Sequence, residues 1–153
     1  MVEKSERKVS DILARTRSGA IAVAPTDTVL SALTVMAERN IGAVLVVSGE
    51  RLMGILSERD CVRKLDVKGR NARDTTVSDI MTKDVMTVTS DRLVEDCRKI
   101  MSERKVRHLP VVDDGKISGV LSIRDVLEEV IAEEERQIQS LETERLAINE
   151  GQY

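Results

Sequence analysis

The chain has 153 residues and a net charge of −3, with 41% hydrophobic and 33% charged residues, which fits one soluble domain or two small ones sharing a core. Its acidic balance argues against a general binder of nucleic acid or anionic membrane, which would be basic. No apolar run approaches the roughly 20 residues that span a bilayer, and the opening MVEKSERKVSDI has no apolar signal core, so the expected address is the cytoplasm.

In chain order, VSDIL at 9–13 opens a short helical turn with Ser or Asp as candidate cap. AIAVAP at 20–25 reads as a short strand. Residues 26–40 carry apolar side chains at 29, 30, 33 and 36, a helical spacing. AVLVV at 43–47 suits a buried strand, SGER supplies a hairpin turn, and LMGIL at 52–56 is the returning strand. SERDCVRKL at 57–65 starts another helix, and the polar stretch KGRNARDTT at 68–76 reads as a loop. The order then repeats: VSDIM at 77–81, VMTVTS at 85–90, a helix over 90–105, HLPVV at 108–112, the DDGK turn, ISGVL at 117–121 and SIRDVLEEV at 122–130.

The chain is therefore a tandem repeat, the first feature to establish in any sequence. GILSERD at 54–60 returns as GVLSIRD at 119–125, an offset of 65 that also superimposes Val29 on Val94, Met36 on Met101 and Val46-Val47 on Val111-Val112. Upstream the register slips by three, where VSDI at 9–12 meets VSDI at 77–80. Each unit reads β-α-β-β-α. A unit of about 60 residues is marginal alone, so the expected fold is α+β, with the two units packed sheet to sheet over one core. The expected boundaries are 8–64 and 77–132, a linker at 65–76 and a helical extension at 133–150.

Within the repeated heptapeptide, Ser57 and Ser122 are good helix N-caps, and Asp60 and Asp125 stand at the third helical position of a capping box. That explains Ser and Asp without a ligand, but not the Gly and Arg in both copies. The same geometry also suits a nucleoside phosphate. A helix N-terminus offers N–H groups to an anion, Gly permits close approach, and a carboxylate can accept from a ribose diol. There is no Trp or Phe, and the one Tyr is residue 153. A base would therefore be held between aliphatic side chains rather than stacked on rings.

These residues carry a resemblance. The opening VSDI turns, the stretches MAERNIGAVLVV and MSERKVRHLPVV, and the two G-h-h-S-x-R-D motifs together are similar to a pair of CBS domains, the module named for cystathionine β-synthase. The resemblance covers about residues 8–132. It implies a pseudo-two-fold module with two clefts for adenosine compounds: AMP foremost, or ATP, ADP, NAD(H) or S-adenosylmethionine. Asp60 and Asp125 would hold ribose hydroxyls, with Ser57 and Ser122 beside them. Arg107 and His108, ahead of Leu109-Pro110, would face a phosphate, while Ala20 and Val85 would meet adenine through the backbone. Pro110 would belong to the same site, and Arg59 and Arg124 would add charge if they point inward. Arg107-His108 aligns with uncharged Gly42-Ala43, so the second unit's cleft should favour phosphate.

Residues 126–150 contain no Pro or Gly and should form one helix, with Leu127, Ile131, Ile138, Leu141 and Ile148 on a 4-3 seam suited to a homodimer. No nucleotide-binding glycine motif, P-loop, HExxH or GxSxG appears, and the single His has no Cys partner. An enzyme is not expected. Cys61 and Cys97 lack metal or disulfide spacing and read as reduced, half-buried thiols. The leading expectation is a sensor that passes energy or redox status to an unidentified downstream protein. The alternative is an interaction or structural module with vestigial clefts.

Overall fold

The protein is described here from a computed structural model covering residues 6–16 and 20–151. Its elements in chain order are α1 (Val9–Thr16), β1 (Ala22–Val23), α2 (Val29–Arg39), β2 (Ala43–Ser48), β3 (Arg51–Ser57), α3 (Glu58–Cys61), α4 (Val77–Ile80), α5 (Val94–Arg104), β4 (His108–Asp113), β5 (Lys116–Ser122) and α6 (Ile123–Glu150). A π-helical stretch, Val62–Asp66, continues α3. The first sheet runs β1-β2-β3, with β1 parallel and β3 antiparallel to β2, and the second is the hairpin β4-β5.

The offset of 65 persists in the hydrogen bonds. Ala43 pairs with Ser57 and His108 with Ser122, and each hairpin has a bulge after the second valine-bearing pair, at Val46/Val47 and at Val111/Val112. Glu58 N–H donates to the Gly42 carbonyl at 3.0 Å, and Ile123 N–H to the Arg107 carbonyl at 2.8 Å. The second hairpin turns through Asp114 and Gly115, both at positive φ, the conformation that a tight antiparallel turn demands.

Two apolar clusters form where one shared core was expected, because the opening turns are exchanged. Val77 and Ile80 of α4 pack with Val29, Met36, Val44 and Leu56 of the first unit. Val9 and Ile12 of α1 pack with Val94, Cys97, Leu109 and Leu121 of the second. The backbone bonds show the same exchange: Val77 N–H donates to the Asp27 carbonyl at 2.8 Å, and Val9 N–H to the Arg92 carbonyl at 2.9 Å. Each unit thus completes the other's core, so neither short repeat has to bury enough surface alone.

The strand expected at 85–90 is reduced to a parallel bridge between Val88 and Val111. The exchange is symmetric beside it: Ser90 accepts from Ser10 N–H at 2.8 Å, as Pro25 accepts from Ser78 N–H at 3.0 Å in the first unit. The duplicated glycines mark the same exchange. A Cβ on Gly54 would lie 2.6 Å from the Thr82 carbonyl oxygen, and one on Gly119 would lie 2.8 Å from Leu13 Cδ2. What approaches these glycines is the exchanged segment.

Lys64 and Glu129, again 65 apart, both clasp an exchanged turn. Lys64 Nζ donates to the Ile80 carbonyl at 2.9 Å, at the end of α4. Glu129, 2% exposed, receives Arg7 Nε at 2.8 Å, Arg15 Nη2 at 2.6 Å and Arg136 Nη2 at 2.9 Å. Cys61 and Cys97 are buried outright, one in each cluster, and burial pushes both thiols up to about 11.

Candidate functional site

Each repeated heptapeptide ends a strand and starts a helix, and both capping boxes form. Asp60 N–H donates to Ser57 Oγ at 3.1 Å while Asp60 Oδ2 accepts from Ser57 N–H at 3.0 Å. Asp125 N–H donates to Ser122 Oγ at 3.1 Å while Asp125 Oδ2 accepts from Ser122 N–H at 3.3 Å. In both boxes the same oxygen, Oδ2, does the capping. Oδ1 of Asp60 meets Thr82 Oγ1 at 3.4 Å and Lys64 Nζ at 3.4 Å. Oδ1 of Asp125 has no partner among the described residues. At Asp125 capping therefore leaves the second carboxylate oxygen available, whereas at Asp60 that oxygen is already met by Thr82 and Lys64.

Both motifs open onto clefts. The cleft at the second motif has a volume of about 520 Å³, lined by Ser122 and Asp125, with Ala20, Ile21, Ile41, Val120 and Ile123 as aliphatic wall. The cleft at the first motif, about 640 Å³, is lined by Ser57, Arg59, Asp60, Arg63 and Thr82, with Ile55 and Val106 as apolar wall. Either volume falls in the range of small-ligand sites. Gly42, Arg107 and His108 line both. A Cβ on Gly42 would stand in ordinary van der Waals contact with the His108 ring, at 3.7 Å, which places Gly42 beside the imidazole on the rim between the clefts.

Arg107 and His108 are therefore shared rather than private to the second unit. The lopsided charge expected from them comes from other residues and favours the other cleft. At the first motif Arg59, Arg63, Lys105 and Arg107 face Glu58 and Asp60. At the second, Arg107 and Arg124 face Asp125 and Glu128, and Arg124, 84% exposed, is drawn to Glu128 at 3.3 Å. Burial, with Arg107 nearby, holds the His108 imidazole below its ordinary value, against the opposing pull of Asp125 and Glu58.

Pro110 and Val85 stand apart from these clefts. Pro110 is buried in β4 opposite Val120, its carbonyl accepting from Val88 N–H at 3.0 Å. Val85 donates its N–H to the Lys83 carbonyl at 3.1 Å and lines neither cleft. Lys105, Arg63 and Thr82 also line the first-motif cleft, and sequence reasoning passed over them. Lys105 could have been found from the repeat, since it aligns with Asn40, and both occupy left-handed backbone at the end of a helix, φ 54° and 53°. Thr82 reaches Asp60 only through the exchange of α4, which no local signal announces.

The comparisons with known proteins agree with this architecture. The CBS domain model matches residues 9–67 and 77–132. The chain is 40% identical over 120 residues to the mitochondrial CBS domain-containing protein CBSX3 of Arabidopsis thaliana, a match covering 75% of this chain and 58% of that protein. It is 30% identical over 104 residues to CBS domain-containing protein YhcV of Bacillus subtilis, covering 68% and 74%. The chain thus spans little more than half of CBSX3. Among solved structures, the CBS domain protein NE2398 is 42% identical with a TM-score of 0.78, covering 82% of this chain and 98% of that one. The CBS domain pair of protein MJ0100, solved with 5′-methylthioadenosine and S-adenosylmethionine, is 25% identical with a TM-score of 0.71, covering 81% and 99%. With two matched repeats, two clefts and the pseudo-symmetric hydrogen bonds that join them, the chain belongs to the CBS domain family as a tandem pair.

Proposed function

We propose that the protein is a non-catalytic sensor that binds adenosine-containing ligands in its two clefts and signals to a partner through the packing of its units. The observation that carries this reading is the pair of Ser-x-x-Asp caps. Each sets its aspartate at a cleft that also has aliphatic surface for a base and shares a cationic rim; the second oxygen of Asp125 has no partner among the described residues, and that of Asp60 meets Thr82 and Lys64. AMP is the leading ligand, and ATP, ADP, NAD(H) and S-adenosylmethionine share its recognised part. The adenosine compounds held by the MJ0100 pair support the class. Ligand binding can act at a distance only by favouring one arrangement over another, and the exchanged turns provide the element to rearrange. Among the described residues no helix is long and apolar enough to cross a membrane.

The tail supports a homodimer as the working form. Leu127, Ile131, Ile138, Leu141 and Ile148 of α6 are between 47% and 64% exposed, along the seam that the 4-3 spacing marks.

Calorimetric titration tests the ligand reading. Adenosine and AMP should both bind, and Arg107→Ala should cost AMP about tenfold in affinity, the worth of one charge-assisted hydrogen bond, while leaving adenosine within twofold. A bound AMP phosphate should also raise the proton affinity of the His108 imidazole, followed by its NMR signal as pH is varied. Adenosine should not. Equal losses for both ligands, or binding of neither, would overturn the assignment.

A further inference from the structure

The 4-3 seam of α6 is interrupted twice, at Glu134 and Arg145, and the two interruptions carry opposite charge. Both residues are exposed, and neither is ion-paired among the described residues. Their placement is symmetric. Glu134 and Arg145 stand equally far from the midpoint between Gln139 and Ser140, and so do Ile138 and Leu141, and Ile131 and Ile148. When the helix is turned end over end about that midpoint, each apolar seam residue falls on an apolar one and each charge falls on its opposite. The module itself does not cover this face. Its core takes Val126 and Glu129 of α6, while Ile131, Ile138, Leu141 and Ile148 are 55–64% exposed. An apolar stripe at this spacing is the seam by which one helix packs on another.

Resting on the homodimer reading above, we propose that α6 pairs with α6 of a second copy in antiparallel orientation over residues 131–148, with Glu134 of each protomer opposite Arg145 of its partner. The pairing is isologous, its two-fold axis crossing between Gln139 and Ser140. Outward from the axis, Ile138 meets Leu141, Glu134 meets Arg145, and Ile131 meets Ile148, each layer formed twice. Charge disfavours the parallel alternative, which sets Glu134 against Glu134 and Arg145 against Arg145 inside the seam, where like charges oppose association. Polar residues at seam positions fix orientation and register in this way, at a cost in stability. Glu135 and Glu142 flank the seam and approach each other across the antiparallel pair, but they stay in water, where salt screens their repulsion. The two modules then sit at opposite ends of the paired tails.

The experiment is sedimentation equilibrium of the full chain beside Glu134→Arg, Arg145→Glu and the double exchange. The parent should be a dimer. Each single change should weaken dimerisation at least about tenfold, because it turns both charged layers from attraction to repulsion. The double exchange restores opposite charges in both layers and should return the affinity to within about threefold of the parent. Cross-linking fixes the direction. On oxidation, a mixture of the Ile131→Cys and Ile148→Cys variants should form a mixed disulfide and neither variant alone should, because the two copies of residue 131 stand about 26 Å apart along the pair, beyond the reach of a disulfide. Cys61 and Cys97 are buried and stay out of this reaction. Self-linking of Ile131→Cys, or a dimer that the single charge changes leave unaltered, would overturn the antiparallel seam and leave the homodimer standing. A parent chain that sediments as a monomer would overturn both.

Discussion

Gly54→Ala is expected to destabilise the protein by about 2–3 kcal/mol, near the upper end of overpacking costs. Gly119→Ala should cost about 1 kcal/mol or less. The two glycines hold the same place in the repeat, yet their neighbours differ in kind. The atom facing Gly54 is the Thr82 carbonyl oxygen at 2.6 Å, fixed by reciprocal backbone bonds in which Ile55 N–H donates to Thr82 at 3.0 Å and Thr82 N–H to Ile55 at 2.9 Å. A methyl group there must break the bridge that seats the exchanged turn. The atom facing Gly119 is the tip of Leu13, which can change rotamer. Urea denaturation of both variants checks the order, and equal costs would refute the fixed-backbone explanation. Gly54→Ala should also weaken ligand binding at the first motif, since the bridge sets Thr82 against Asp60.

The second large effect is at Glu129. Glu129→Ala is expected to cost about 2–4 kcal/mol, the lower part of the range for breaking a buried ion pair or just beneath it. The cost is moderated because Arg7, Arg15 and Arg136 are 37–51% exposed and can turn to water. Burial pushes the Glu129 carboxyl up, but hydrogen bonds from Arg7 and Arg136 and the charge of Arg15 outweigh it and hold the group below its ordinary value of 4.5. The native state therefore holds the proton less tightly than the unfolded chain does. The carboxylate's contribution is complete above about pH 4.5 and fades as the pH falls through the folded-state value. Glu129→Gln should accordingly be less stable than the parent at neutral pH and lose less on acidification. Parallel stability–pH curves would contradict this account of the cluster.

Much of this molecule was legible because it is written twice. The 65-residue offset located both hairpins and both capping boxes, and the lack of Pro and Gly over residues 126–150 gave the 28-residue α6. The exchange of opening turns was not legible. VSDI has the same local signals whichever core receives it, and the register slip of three was its sole trace. Without the exchange, Gly54 could face either a ligand or another backbone, and Thr82 had no reason to be near Asp60. Arg107 and His108, at the start of β4, were expected at a phosphate from the family resemblance, but residue order along one repeat does not reveal that two clefts share a rim. Pro110 illustrates a different limit. It stands two residues beyond His108, on the same side of the strand by the two-residue period, yet it is buried and lines neither cleft, although its cross-strand partner Val120 lines the second.

The central claim is that adenosine compounds bind beside the shared rim, and the chain's single histidine reports on that rim directly. The measurement is the imidazole carbon–proton NMR signal of His108, followed as AMP, ATP, NAD(H) and S-adenosylmethionine are added in turn to the full chain. The account predicts that AMP moves this signal in a saturable way and that Asp125→Ala or Asp60→Ala reduces the effect. A His108 signal that none of the four compounds moves at saturating concentration would contradict it.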